Sequence, residues 1–209
     1  MTTIAVFGAT GRTGKPFTEL ALKEGYIVKV LLRTPSKLGI QNPNLQIIEG
    51  DLSDPVKVEE TIRGTEAVLL LVGMAPMAHA PTDFRSMMTR NVLQAMKKTG
   101  VKRIIRLASF VGARVEEDKL GFMMKTQLSM YNAKVVHDET ESARYVKESD
   151  MDWTIVRNAM ITPGAPKGIY KAGYLGEGKD QINASDLAAF ILEELKNGKY
   201  IRQMPFVRN

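Results

Sequence analysis

Thr3-Ile-Ala-Val-Phe7 runs straight into Gly8-Ala-Thr10-Gly11-Arg12-Thr13-Gly14, and a helical pattern follows. An apolar, β-favouring segment therefore feeds three glycines spaced G-x-x-G-x-x-G. That order sets a tight turn at the carboxyl end of a parallel strand. Backbone N–H groups can then approach a phosphate, and the next helix points its N-terminus at a pyrophosphate. The spacing is a variant of G-x-G-x-x-G, but it stands in the strand-to-helix context that the motif requires. The reading is a dinucleotide-binding turn.

The same alternation continues outward. Helical patterns are expected over Pro16–Glu24, Val56–Arg63, Pro81–Lys98 and Asn132–Glu148. A last helix runs through Leu195, with Ser185-Asp186 as its cap and residues 187, 191, 192 and 195 forming one apolar face. Apolar strands are expected at Tyr26–Leu32, Leu45–Ile48, Ala67–Val72, Arg103–Ala108 and Trp153–Val156, with a terminal edge strand in Tyr200–Val207. Glu-Gly-Asp51-Leu-Ser-Asp54-Pro55 reads as a turn and helix start. Such alternation implies an α/β fold, a doubly wound parallel sheet with helices on both faces in three αβα layers. One domain over 1–209 is expected. The irregular stretches Gly73–Pro81, Ser109–Met130 and Asn158–Gln181 each follow a strand. They fall at the carboxyl edge, where open α/β sheets bind ligands.

Composition narrows the function classes. With 44% hydrophobic and 25% charged residues, the 209-residue chain matches an ordinary globular domain. No apolar run approaches the ~20 residues of a membrane span. The N-terminus enters a strand at once, which leaves no signal peptide, and a cytoplasmic location is expected. Cysteine is absent, which excludes disulfides and thiol chemistry. The two histidines, His79 and His137, do not make a metal site, and none is expected. The net charge of +6 suits an anionic ligand. The basic residues are scattered and not interleaved with aromatics, so neither a nucleic-acid nor a membrane partner is expected.

The end of the second strand bears on the nucleotide. NAD sites commonly place Asp or Glu there to bind the ribose 2′-OH. This chain has Arg33, with Ser36 and Lys37 close behind. Two cations and a hydroxyl suit a 2′-phosphate, so NADP(H) is the expected cofactor. The alternative is that Arg33 stacks on adenine and discriminates little.

GATGRTG, VLLRTPSKL, EGDLSD, VLLLVG, RIIRLAS, MDWTIVRN and INASDLAAFIL together resemble the atypical short-chain dehydrogenases/reductases of the NAD(P)H-binding, NmrA-like group. The likeness covers nearly the whole chain. It is greatest to the biliverdin-IXβ reductase/flavin reductase type. The resemblance implies an NAD(P)-binding Rossmann fold with Gly8, Gly11 and Gly14 in the glycine loop and Thr10, Arg12 and Thr13 facing phosphate. It puts Arg33 at the 2′-phosphate, Asp51 and Leu52 on the adenine side and Val72 and Gly73 beside the ribose. Ser109 falls near the nicotinamide and is the candidate catalytic residue. Asn158 stands where many relatives carry proline, on the nicotinamide-side loop.

Many members of the wider superfamily use Tyr-x-x-x-Lys, in which lysine lowers the tyrosine pKa. None of the six tyrosines here has Lys four residues later. Tyr131 comes nearest, with Lys134 at the wrong spacing. That counts against alkoxide protonation, but not against hydride transfer to a conjugated acceptor, which can take its proton from water. An NADPH-dependent reductase of a flavin (FMN or FAD), a quinone-like compound or a related acceptor is the expected function, with the acceptor pocket formed by the loops 73–81, 109–130 and 158–181. The alternative is a non-catalytic, NmrA-like redox sensor that binds NADP(H) and acts through a protein partner. Ser109 would orient the nicotinamide amide or the acceptor, and its plain alternative is a strand-end serine bonded to backbone. His137 is expected on the surface. Ala143 stands where the flavin and bilin reductases carry a histidine. Met74, Met77, Met87, Met88, Met123, Met124 and Met130, with Phe110 and Phe122, are expected either as an apolar lid or as core filling. A monomer or small homo-oligomer is expected.

Overall fold

The computed structural model describes residues 1–73, 83–109, 112–113, 115–116, 118, 132–158, 160–174 and 181–209. Strands β1 (Thr3–Phe7), β2 (Ile27–Leu32), β3 (Leu45–Glu49), β4 (Ala67–Leu70), β5 (Arg103–Ser109) and β6 (Asp152–Asn158) alternate with helices. These are α1 (Gly14–Lys23), α2 (Pro55–Ile62), α3 (Phe84–Thr99) and α4 (Ala133–Lys147). Then come β7 (Met160–Thr162), β8 (Lys171–Gly173), β9 (Gln181–Asn183), α5 (Ala184–Asn197) and β10 (Phe206–Arg208).

The main sheet has eight strands in the order β3-β2-β1-β4-β5-β6-β10-β8, and only β8 runs antiparallel, against β10. Chain order reverses between β1 and β4. That switch point opens a crevice at the carboxyl edge, directly beside the glycine turn. Residues alternate across the sheet with period two. Ile4 and Val6 face a core shared with Phe17 and Ala21 of α1 and Leu187 and Ile191 of α5. Ala5 and Phe7 face a second core with Val58 and Ile62 of α2, Met88 and Val92 of α3 and Val146 of α4. The expected doubly wound α/β fold is present.

Several boundaries differ from the sequence reading. Helix α1 begins at Gly14, two residues before Pro16, because Gly14 can sit against the turn. Strand β4 stops at Leu70 rather than Val72, and β6 extends to Asn158 rather than Val156. Ser185-Asp186 does not cap α5. Asn183 does, its side chain accepting the Ser185 N–H at 2.8 Å. Asp186 instead accepts the N–H groups of Lys167 (2.9 Å) and Gly168 (3.0 Å) and the Asn209 amide (2.9 Å), pinning the segment before β8 to α5. The terminal strand is Phe206–Arg208 and it is interior, between β6 and β8. Strand β8 takes the edge. It arises in the stretch read as irregular, where Lys-Ala-Gly offers no β-branched residue to announce a strand. Among the described residues, no helix is long and apolar enough to cross a membrane.

Candidate functional site

The glycine turn is built by close approach. Gly8 has φ +86°, and a Cβ there would lie 2.8 Å from the Leu71 carbonyl oxygen of the neighbouring chain segment. The Gly11 N–H donates to the Gly8 carbonyl at 2.9 Å and closes the turn. A Cβ on Gly14 would lie 2.0 Å from the same Gly8 oxygen, so α1 can begin this near the strand only because Gly14 has no side chain. Gly8 and Gly14 thus have a steric reason of the kind the phosphate-binding turn demands, and a Cβ on Gly11 would be tight at 3.1 Å from the Gly8 oxygen.

The N-terminus of α1 is dressed for an anion. Its first turn holds no acidic residue, so nothing opposes the positive end of the helix dipole. Thr13 occupies the cap position, yet its side chain makes no cap bond. Its hydroxyl oxygen is buried and has no hydrogen-bond partner among the described residues. Such an orphan costs about 1–3 kcal/mol unless a ligand satisfies it. A pyrophosphate oxygen at the helix N-terminus would do so, and the residues present therefore fit a dinucleotide. Thr10, Gly11 and Arg12 are exposed around this turn.

The adenosine side is assembled by β2 and β3, which pair in parallel up to Leu32 and Glu49. Just beyond their ends, Arg33 Nε approaches Asp51 Oδ2 at 3.6 Å, with three-quarters of the Arg33 side chain exposed. Asp51 also accepts the Ser53 N–H at 2.8 Å, and the Leu52 carbonyl accepts from Asn91 of α3 at 2.9 Å. Asp54 starts α2 as expected, accepting the N–H groups of Val56 and Lys57. Ser36 and Lys37 lie in one turn, Pro35–Lys37, and are exposed close to Arg33 in the chain. Two sequence-distant predictions, Arg33 and Asp51, therefore meet in space.

Val72 and Gly73 leave β4 at the switch point, Val72 half-buried and Gly73 exposed. Ser109 ends β5 and Asn158 ends β6, and the two are direct register partners. The Ser109 carbonyl accepts the Ala113 N–H at 3.2 Å. Its own N–H donates to Glu139 Oε1 at 3.1 Å. His137 and Lys134 of α4 are exposed, and Ala143 is buried in the core. Met88 is core, and the Met87 sulfur receives the Asn91 amide. His79, Tyr131, Phe110, Phe122, Met74, Met77, Met123, Met124 and Met130 lie outside the described residues, as do most of 73–81 and 109–130.

Sequence reasoning missed a buried ionic cluster beneath Ser109. Glu139 Oε1 lies 3.1 Å from the Arg106 guanidinium, and Oε2 lies 3.4 Å from Arg85 Nε. Asp138 accepts the backbone N–H groups of Arg85 and Ser86, each at 2.9 Å, and so caps the first turn of α3. All four charged side chains are at least nine-tenths buried. A signal was available: Arg106 interrupts an apolar strand, and Asp138-Glu139 fall on the same helical face as Ser142, Ala143 and Val146. Nearby, Arg157 is buried on β6, where it pairs with Asp118 and donates to the Met204 carbonyl.

A cleft of about 390 Å³ lies elsewhere, where Trp153, Tyr174, Tyr200, Lys147 and Arg202 line a hollow near the β8 edge. None of the individually predicted site residues lines it, but Val115, Gly173 and Tyr174 come from two of the loops expected to form the acceptor pocket. Among the described residues, no group of His, Asp or Glu is arranged to hold a metal ion.

Comparison with known proteins bears on the fold and the family. The chain is 28% identical to an uncharacterized chloroplastic protein of Arabidopsis thaliana, over 79% of this chain but only 61% of that one. It is 28% identical to the oxidoreductase ordB of Dothistroma septosporum, over 92% of this chain and 77% of the relative. A short-chain dehydrogenase/reductase of Veillonella parvula, solved in complex with NADP, has the same fold, with TM-score 0.85 over 100% of this chain and 94% of that one at 15% identity. Residues 8–198 match the family model described as NAD(P)H-binding, from the first glycine of the turn to the glycine that ends α5, and the chain belongs to that family.

Proposed function

We propose that this protein is an NADPH-dependent reductase that passes hydride to a flat conjugated acceptor of the flavin or quinone type. The observation that carries the reading is the pairing of an anion-ready helix terminus, with its orphaned Thr13 hydroxyl, and an acid–base motif that the chain lacks. NADPH, when bound, supplies a hydride, and the reduced acceptor takes its proton from water.

The chain's own residues bind and orient. Gly8, Gly11 and Gly14 let the backbone of the turn and the start of α1 approach the pyrophosphate, which Thr13 also contacts. Thr10 and Arg12 flank it. Arg33, with Ser36 and Lys37, takes the 2′-phosphate and exchanges its ion pair with Asp51 for that contact. Asp51 and Leu52 border the adenine, and Val72 and Gly73 the ribose. Ser109 is the catalytic residue in this reading, its hydroxyl directed to the nicotinamide amide or the acceptor, with Asn158 beside it. Positioning of this kind is what such a reaction asks of the protein. Motif likeness to the biliverdin-IXβ reductase/flavin reductase type selects the acceptor class, and Ala143 at a position where those enzymes carry histidine favours a flavin or quinone over a bilin. The lack of cysteine fits a cytoplasmic location, and the enzyme works as a monomer or small homo-oligomer on a small-molecule acceptor.

The test is NADPH oxidation followed by absorbance, with FMN, FAD, quinones, dyes and biliverdin as acceptors. Saturable turnover that is lost in Arg33→Asp and reduced in Ser109→Ala is expected. Tight NADPH binding without turnover on any acceptor would overturn the reading and leave a redox sensor acting through a protein partner.

A further inference from the structure

Glu139 occupies an unusual place for a carboxylate. It lies on the inward face of α4 at 2–3% exposure and meets three residues on two other elements, β5 and α3. One oxygen accepts the N–H of Ser109, the last residue of β5. The same oxygen faces Arg106, from the middle of that strand, and the other faces Arg85, in the first turn of α3. Among the described residues the three Arg106 guanidinium nitrogens make no hydrogen bond, so their contact with Glu139 is one of charge. From above, the segment after β5 presses directly on this side chain: a Cβ on Gly112 would lie 2.7 Å from both Cβ and Cγ of Glu139. Asp138 completes the arrangement by holding the start of α3 through two backbone bonds.

A buried charge with this many partners is an expensive way to stabilise a fold, because apolar residues of equal volume often do as well. What it supplies is fixed geometry, since an ion clamped between two guanidinium groups has little freedom to move. We propose that Glu139 is a positioning residue, clamped by Arg85 and Arg106, that sets the backbone of Ser109 and thereby the direction of its hydroxyl. The proposal rests on the reading that Ser109 serves the nicotinamide. It makes α4 the element that aligns this end of the site, through a carboxylate that never touches cofactor or acceptor.

A double-mutant cycle tests it. Glu139→Gln keeps the volume but sets an amide NH₂ group against Arg85. Gly112→Ala keeps every charge and displaces Glu139 sterically, which guards against misfolding of the first variant. Each is made with Ser109 intact and with Ser109→Ala. Two quantities are read: kcat on the best acceptor, and the fluorescence of bound NADPH, which reports the nicotinamide surroundings without turnover. The affinity for NADPH and the melting temperature are followed in parallel. With Ser109 intact, a loss of about 10-fold or more in kcat and a fall in bound-nicotinamide emission are expected, as for sub-ångström to 1 Å misplacement. NADPH affinity should hold within about twofold, because the phosphate-binding end is untouched. In the Ser109→Ala background the same changes should have almost no further effect.

Equal losses in both backgrounds, or losses that follow only the melting temperature, would reduce Glu139 to a structural role and overturn the proposal while Ser109 stands. An unaltered Ser109→Ala protein would instead remove Ser109 from the site and the proposal with it. If no acceptor is turned over, the emission of bound NADPH decides the cycle by itself.

Discussion

Replacing Gly14 by alanine tests the steric basis of the cofactor site. The added Cβ would stand 2.0 Å from the Gly8 carbonyl oxygen, where even 3.0 Å is essentially never seen, so helix and turn must part by about 1 Å. The three nearest obstructing atoms are all backbone, and the Gly8 carbonyl is already engaged by the Gly11 N–H at 2.9 Å. Overpacking of this kind costs ~1–3 kcal/mol. Alanine's better helix propensity returns at most ~1 kcal/mol, and less at a first helical position. The net loss of roughly 1–2 kcal/mol should lower the melting temperature by roughly 2–8 °C for a chain of this length. Cofactor affinity should suffer independently. Losing one charge-assisted bond from the turn to the pyrophosphate costs ~1.5–3 kcal/mol, which is about 10- to 100-fold in Kd.

Fluorescence titration with NADPH alongside thermal melting reads both quantities. Gly25→Ala is the control. Its φ of +84° imposes a left-handed strain of ~1–2 kcal/mol, yet nothing lies within 4 Å of the new Cβ. It should lower stability and leave NADPH affinity unchanged. If Gly14→Ala binds NADPH within about twofold of the parent, the turn does not hold the pyrophosphate and the site has been misread.

Arg33→Asp should weaken NADPH by about 10-fold or more, from loss of a charge-assisted bond to phosphate, while NADH affinity changes little. Equal losses for both nucleotides would place Arg33 on the adenine instead. Since the side chain is 75% exposed, stability should shift by no more than ~0.5 kcal/mol. Asp186→Ala strips acceptors from two backbone N–H groups and the Asn209 amide. A destabilisation of about 1–3 kcal/mol is expected, with early hydrogen exchange at Lys167 and Gly168; unchanged exchange there would refute the tie. The carboxyls of Glu24, Glu141 and Asp150 are held below their ordinary range by hydrogen bonds from Lys196, Arg144 and Lys102. Because folding lowers these pKa values, their contribution is complete above the ordinary carboxylate range. It fades as pH falls through the lowered folded values. Glu24 and Asp150 are exposed and Glu141 is half-buried at the surface, so molar salt should blunt this acid limb, and a salt-independent limb would assign it to other groups.

The fold was legible because its signals are local. Strand β1 and its glycines announce themselves within twelve residues, and the continuous apolar run of β4 and the largely apolar runs of β2, β5 and β6 reflect burial on both faces of a parallel sheet. The glycine pattern, Arg33 and the Asp51 turn were readable for the same reason: each depends on backbone geometry or on a position just past a strand. Less was readable where pairing is decided at a distance. Strand β8 is three residues without a β-favouring side chain, and it exists because β10 offers it an edge. The misassigned cap of α5 had the same origin, since Asn183, Ser185 and Asp186 are all capable caps and only the approach of Lys167, Gly168 and Asn209 assigns Asp186 elsewhere.

Sequence alone determined the parallel α/β architecture, the dinucleotide turn and the cation at the end of β2. Each of these is an intrinsic property of a short segment: a hydrophobic period, a glycine's freedom from a Cβ, a charge at a strand end. Tertiary structure alone decided that Arg33 meets Asp51 and that Arg85, Arg106 and Glu139 converge beneath Ser109. Those contacts join residues 18 to 54 positions apart in the chain. Charges so far apart carry no mutual signal until the sheet and its helices bring them into a low-dielectric interior, where an ion must find its partner.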